Sequence, residues 1–254
     1  MKETFVETGS IVREIWGKAD TVLFIFAGAA AEFALNKAVD WLYFTGRLPA
    51  DPLGRLFSTV VYARQIIFSE QEAALDAIDK ITAIHAGVEK SRNAKIPDWA
   101  YRDVLFLLID YSIRSFELLE RKLLEDEKAE VFDVFNKVGE RMKLTGLPKS
   151  FSEWACMRET HLEADLVRSE FTIDLYRQYK KHLGIIRYAI LMQVQAMLVP
   201  EKVSKLLRLA NSPWLVPIVQ FYKILRSVKL EGPFKNILLP AAYKLQIQGM
   251  DISH

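Results

Sequence analysis

The run Val104-Leu105-Phe106-Leu107-Leu108-Ile109 decides the fold class. It lies in a segment that opens at Pro97-Asp98, where the aspartate can cap a helix, and continues to about residue 124 without glycine or proline. An unbroken apolar run inside a helix of that length makes the helix hydrophobic on most sides, so it belongs at the centre of the molecule. A second such run extends from Thr21 to Leu35, opening Thr21-Val22-Leu23-Phe24-Ile25-Phe26 and then turning alanine-rich, within a helix expected over 20–45. It is shorter than the roughly 20 residues a bilayer requires, and Asp20 and Asp40 flank it. It reads as a buried core helix.

Outward from these two, helical periodicity places segments at about 3–18, 51–68, 70–90, 126–144, 150–166, 169–198, 201–210 and 213–228. Ser69-Glu70-Gln71-Glu72 reads as a capping box. Pro200-Glu201 opens another helix, since proline is tolerated in the first turn. Beyond Gly232-Pro233 the periodicity weakens, and 229–254 is expected to pack as an arm. No period-2 strand pattern and no internal repeat appears. The expectation is an all-α protein, a single multi-helix globular domain of about ten helices over 1–254. Two central helices wrapped by amphipathic ones would pack in the globin style, with interior room for a large flat ligand.

Composition narrows the function classes. Across 254 residues, 51% hydrophobic and 26% charged residues exclude disorder, and no Pro/Gly/Ser-rich linker divides the chain. The 34 basic and 32 acidic side chains nearly cancel to +2 and are interleaved, so nucleic acid is not an expected partner. Cys156 stands alone, which excludes an intrachain disulfide and thiolate zinc sites. It reads as a small core residue, and a reducing cytoplasm is the expected location. The N-terminus Met1-Lys2-Glu3-Thr4-Phe5 lacks a signal-peptide layout. The chain has no phosphate-cradling glycine loop, metalloprotease motif, di-iron ligand set or nucleophile elbow, which leaves cofactor-borne chemistry as the open enzyme class.

Four histidines exist, at 85, 161, 182 and 254. His254 ends the chain, and His182, after Tyr179-Lys180-Lys181 and near a possible break before Gly184, reads as part of a solvated face. His85 shares a helix side with Leu75, Ile78, Ile81, Ile84 and Val88. Such an imidazole is either a core histidine bonded through both nitrogens or a proximal ligand to haem iron. Upstream, Asp51-Pro52-Leu53-Gly54-Arg55-Leu56-Phe57-Ser58-Thr59 puts Arg55 and Thr59 on one face at i, i+4, with Tyr62 nearby. That pair can anchor a propionate or donate to an oxygen species, or Arg55 simply pairs with Asp51 at the surface. His161 shares a face with Met157 and either approaches a cofactor or sits partly exposed between Glu159 and Glu163. Glu32, inside an apolar helix, must take up a proton, act as a base, or find a partner such as Arg55 or Arg187.

Asp51, Pro52, Gly54, Arg55, Thr59, His85 and Val88, followed by Trp99-Ala100-Tyr101, together resemble the catalytic domain shared by the fungal MpaB oxygenase and the bacterial latex-clearing rubber oxygenases. The resemblance covers about residues 20–210 and is best over 50–111. It implies an all-helical fold with one haem b, His85 as the proximal iron ligand, and Arg55, Thr59 and Tyr101 around the cofactor. It further implies dioxygen and an apolar organic molecule as reaction partners, with Arg55 and Thr59 in catalytic positions, and a base role in the rubber oxygenases for a glutamate on a preceding helix. Two departures are visible. Ser58 stands where rubber oxygenases carry a lysine that can occupy the distal position, and Glu89-Lys90-Ser91-Arg92-Asn93-Ala94-Lys95 replaces a glycine-rich turn. Outside the resemblance, Pro213-Trp214-Leu215-Val216-Pro217 opens a segment whose tryptophan, aromatics and basic residues suit either core packing or a membrane interface.

Overall fold

The computed structural model describes residues 3–210. The described residues form eleven α-helices and no strand, with two isolated β-bridges. The helices are α1 (Ile11–Trp16), α2 (Ala19–Phe33), α3 (Asp40–Phe44), α4 (Arg47–Ala50), α5 (Pro52–Phe68), α6 (Gln71–Arg92), α7 (Asp98–Leu119), α8 (Glu125–Arg141), α9 (Phe151–Ala164), α10 (Glu170–Leu198) and α11 (Glu201–Leu207). No helix among them is long and apolar enough to cross a membrane. The expected 213–228 helix, the 229–254 arm and His254 lie outside the described residues.

Local chemistry explains the boundaries. Ser10 caps α1, its hydroxyl accepting from the Val12 N–H at 3.1 Å, so the helix begins at residue 11 and not at 3. The residues before it lie along the start of α6: Thr4 bridges to Glu70, and the Gln71 N–H donates to the Glu3 carbonyl at 2.9 Å. That contact corrects the capping box. Ser69 instead closes α5 in extended backbone, and Glu70 is the N-cap of α6 without a side-chain capping bond. Asp98 likewise is the first helical residue of α7 after Pro97, and its carboxylate accepts from the Thr145 hydroxyl. The helix expected over 20–45 is broken at Asn36. Its Oδ1 accepts from the Ala38 N–H at 2.8 Å, and residues 35–37 pair instead with the end of α9, Val167 N–H to Leu35 O at 2.7 Å and Lys37 N–H to Asp165 O at 2.9 Å. Gly184 interrupts α10 at φ 73°, ψ 176°, a conformation that only glycine adopts without strain, as the break before it implied.

α2 and α7 pack against each other more extensively than any other pair and form the centre of the bundle, as the two apolar runs required. They approach closely at Gly28, where a Cβ would sit 2.2 Å from the Tyr111 ring. Around them the core closes through Val12, Trp16, Phe57, Ile67, Ile78, Phe132, Trp154 and Leu198. Among the polar groups drawn into it, the Trp16 indole donates to Ser112 Oγ at 3.1 Å, and Gln195 Nε2 donates to the Ala27 carbonyl at 3.0 Å.

Candidate functional site

The family-type residues come together where the first half of α5, the second half of α6 and the start of α7 meet. Asp51 begins α5 by accepting the Gly54 N–H at 2.9 Å, and Pro52 fits the first turn because its missing N–H would have no helical partner anyway. A Cβ at Gly54 would lie 2.1 Å from Asp51 Oδ2, so glycine is what lets the cap close. One turn on, Arg55 is folded along its own helix. Its Nη1 donates to Thr59 Oγ1 at 3.0 Å and to Ser58 Oγ at 3.2 Å, while both hydroxyls donate back to the Arg55 carbonyl. The i, i+4 pairing of Arg55 with Thr59 is therefore a direct bond, and Asp51 is spent as a cap. Burial, together with the nearby Arg47 charge, lowers the Arg55 pKa from its usual value.

α6 begins in the core, with Ala74, Ala77 and Ile78 buried, and emerges from it along its length. The apolar side expected to carry His85 inward is therefore only half-buried at that position, and Ile84 beside it is 47% exposed. His85 makes no hydrogen bond that would satisfy it as a core residue. Its Nδ1 is buried with no partner among the described residues. Burial, with the Arg55 charge adding to it and Glu89 opposing, pushes its pKa down to about 4, so the ring is neutral at physiological pH and its nitrogens are available as ligands. The Tyr101 ring stands edge-on to it at 5.1 Å. Tyr101 is itself fixed by its hydroxyl, which donates to Glu89 Oε1 at 3.2 Å; the same oxygen accepts the Ile96 N–H at 2.9 Å. Burial first, and the Glu89 charge second, raise the Tyr101 pKa, so the phenol stays protonated. The loop from 93 to 97 manages without a glycine-rich turn because Asn93 takes the left-handed position, φ 51°, ψ 41°.

Other sequence expectations are corrected. Glu32 pairs with neither Arg55 nor Arg187 in the bonds it makes here. Arg158 grips it with both terminal nitrogens, at 2.5 and 2.6 Å, and the Tyr111 hydroxyl donates to it at 2.8 Å. Arg158 also reaches Asp110 Oδ2 at 3.0 Å, and Asp110 receives Arg114 Nε at 2.7 Å. Burial alone would lower the Arg158 pKa, but Glu32 and Asp110 reverse this and hold it well above the ordinary value. His161 is buried, not partly exposed: it is 7% exposed, with Nδ1 2.6 Å from Asp165 Oδ2 and 3.4 Å from Asp103 Oδ1. Cys156, expected in the core, is exposed, because α9 turns Trp154, Arg158, His161 and Leu162 inward. His182 is half-buried. Arg158, Asp103 and Asp165 were not singled out from the sequence, which offers no local signal for pairings this distant along the chain.

The family model described as ER-bound oxygenase mpaB/B'/Rubber oxygenase, catalytic domain, matches residues 15–227. No curated protein and no solved structure matches the chain.

Proposed function

The chain belongs to the family of mpaB and rubber-oxygenase catalytic domains, and on that premise we propose that it is a haem b-dependent oxygenase acting on an apolar organic molecule, with His85 as the protein ligand to iron. One observation carries the cofactor assignment: a neutral imidazole whose buried nitrogen has no hydrogen-bond partner. A histidine kept only for packing would be expected to satisfy that nitrogen, because leaving it unmade costs about 1–3 kcal/mol.

Bound haem would supply the centre at which dioxygen is taken up and activated. The chain's own residues have separable tasks around it. Arg55, held against Thr59 and Ser58, offers a guanidinium in a half-buried setting where its charge is poorly screened, suited to a propionate or to an oxygen-derived anion. Thr59 keeps that guanidinium oriented and contributes a hydroxyl of its own. Tyr101, locked by Glu89, supports the His85 ring from its edge and fixes its plane. Ile84 and Val61, the latter 56% exposed, leave apolar surface beside His85 and Tyr62 that suits a hydrophobic ring or substrate. A cytoplasmic location belongs to the same reading, since the lone cysteine needs no oxidising compartment.

The test is the absorption spectrum of protein produced with haem precursor, beside His85→Ala purified identically. A Soret band at near-stoichiometric haem that collapses in the variant supports the cofactor and its ligand. A wild type that is colourless and takes up no added haemin overturns both, and leaves a helical binding protein. Product formation from an apolar alkene with oxygen and an electron donor then tests turnover separately from haem binding.

A further inference from the structure

Opposite the His85 pocket, α7 carries a second cluster of potential ligands. Asp103 lies two residues after Tyr101 and so projects from the other side of the helix, towards the end of α9. There His161 and Asp165, at i, i+4, meet it, and one donor atom from each of the three lies within 4.8 Å of the others. Asp103 is 1% exposed. One of its oxygens, Oδ2, accepts from Asn36 Nδ2, whose amide is oriented by the Ala38 N–H on its Oδ1. The other, Oδ1, points at His161 and has no hydrogen-bond partner. The Nδ1 that faces it is engaged with Asp165. Arg158, the nearest buried cation, makes its hydrogen bonds to Glu32 and Asp110 and none to Asp103. A buried carboxylate oxygen is thus left without a hydrogen bond among the described residues, facing the His161 ring at 3.4 Å.

We propose that Asp103, His161 and Asp165 bind one divalent first-row transition-metal ion, with Zn2+ the best fit. The donor set of one imidazole and two carboxylates suits Zn2+ or Mn2+, whereas Mg2+ and Ca2+ favour oxygen alone. With metal–ligand bonds of about 2.0–2.2 Å, tetrahedral donors stand roughly 3.3 Å apart. The 3.4 Å between His161 Nδ1 and Asp103 Oδ1 matches this without movement. Asp165 Oδ2, now 2.6 Å from Nδ1, must draw back by roughly 0.7 Å to reach that spacing, and its side chain sits at the end of α9 with 19% exposure. Its second oxygen or a water then completes the fourth position. Burial keeps the His161 imidazole below its usual pKa, which favours its ligand form, whereas burial and the Glu32 charge push the Asp103 carboxyl up to about 7, so the ion must displace a proton there. The Phe106 ring stands edge-on to His161 at 5.2 Å and fixes its plane, and Asn36 holds Asp103 from behind, the kind of outer support that metal sites use.

The experiment uses the full chain, stripped with EDTA and titrated with Zn2+ by calorimetry and with Co2+ by absorption, while haem is followed separately by its Soret band. The expected result is about one Zn2+ per chain, a Tm that rises with metal and falls on chelation, and the intense d–d bands of four-coordinate Co2+. Asp103→Asn and His161→Gln should abolish all three, Asn36→Ala should weaken affinity by about 10–100-fold, and His85→Ala should leave them unchanged. Wild type without uptake overturns the proposal, as does uptake that survives both ligand substitutions, which would belong to surface carboxylates. If either variant does not fold, the wild-type Co2+ spectrum decides: intense bands support the site, and their absence overturns it.

Discussion

Around His85 the polar groups are half-exposed and partly unsatisfied, whereas Glu32, Arg158 and Asp110 are buried and bonded to one another. Both regions are anchored on α7, the first at Tyr101 and the second at Asp103, Asp110 and Tyr111. The contrast separates two uses of polarity. Glu32, Arg158 and Asp110 tie α2, α9 and α7 together at a point where any missing partner leaves a bare charge in the core. The Arg55, Thr59 and His85 group ties little together, and at His85 Nδ1 it keeps buried bonding capacity unused. Polar residues that hold a fold are expensive to remove and indifferent to ligand; polar residues that serve a ligand are the reverse.

The largest test of that division is Arg158→Met, which leaves Glu32 without a cation and Asp110 with Arg114 alone, and should cost about 3–5 kcal/mol in urea unfolding. Pairing it with Glu32→Leu should recover part of the loss, because an apolar pair of similar volume removes the stranded carboxylate. Tyr111→Phe comes next: it deletes one charge-assisted hydrogen bond while leaving Arg158 in place, and should cost about 1.5–3 kcal/mol by the same measurement. His85→Ala should change stability by no more than about 1 kcal/mol, since lost ring packing is offset by removal of a buried nitrogen without a partner. A loss as large as that of Arg158→Met would erase the distinction between the two regions. The smallest effect is expected for Ser58→Lys at an exposed position, within about 0.5 kcal/mol of wild type. If the chain takes up haem as proposed, the signature should be spectral, a shifted Soret band, and an unchanged spectrum would show that an amine at 58 does not reach the cofactor.

How much of this was legible in the sequence followed the range of the interactions. Asp51-Pro52 named the start of α5, Pro200-Glu201 the start of α11, and the two apolar runs named the central helices, because each signal acts within a few residues of itself. The Arg55–Thr59 pair was readable for the same reason. The break at Asn36 was hidden, since what ends the helix there is pairing with the chain after α9 and a bond to Asp103. α9 was misread more deeply. The usual rule sends its cysteine inward and its arginine out, yet Arg158 and His161 face the core because acidic partners from α2 and α7 await them there. Only the assembled fold supplies those partners. The gathering of family-like residues around His85 was readable from their spacing, while the Asp103 cluster has no counterpart in local spacing beyond the i, i+4 relation of His161 and Asp165.

The contact at Gly28 also bears on the ion pair one turn further along α2. With no side chain at 28, the Tyr111 ring lies flat against the backbone, and its length carries the hydroxyl on to Glu32, four residues away on the same face. The glycine thus sets the reach of a phenol, and the phenol completes the hydrogen bonding of a buried carboxylate. A single methyl group added at 28 would crowd the ring and, by displacing it, register as an electrostatic fault at an oxygen it never touches. Steric and charge effects in this core therefore form one quantity, and substitutions at 28 and 111 should be strongly non-additive.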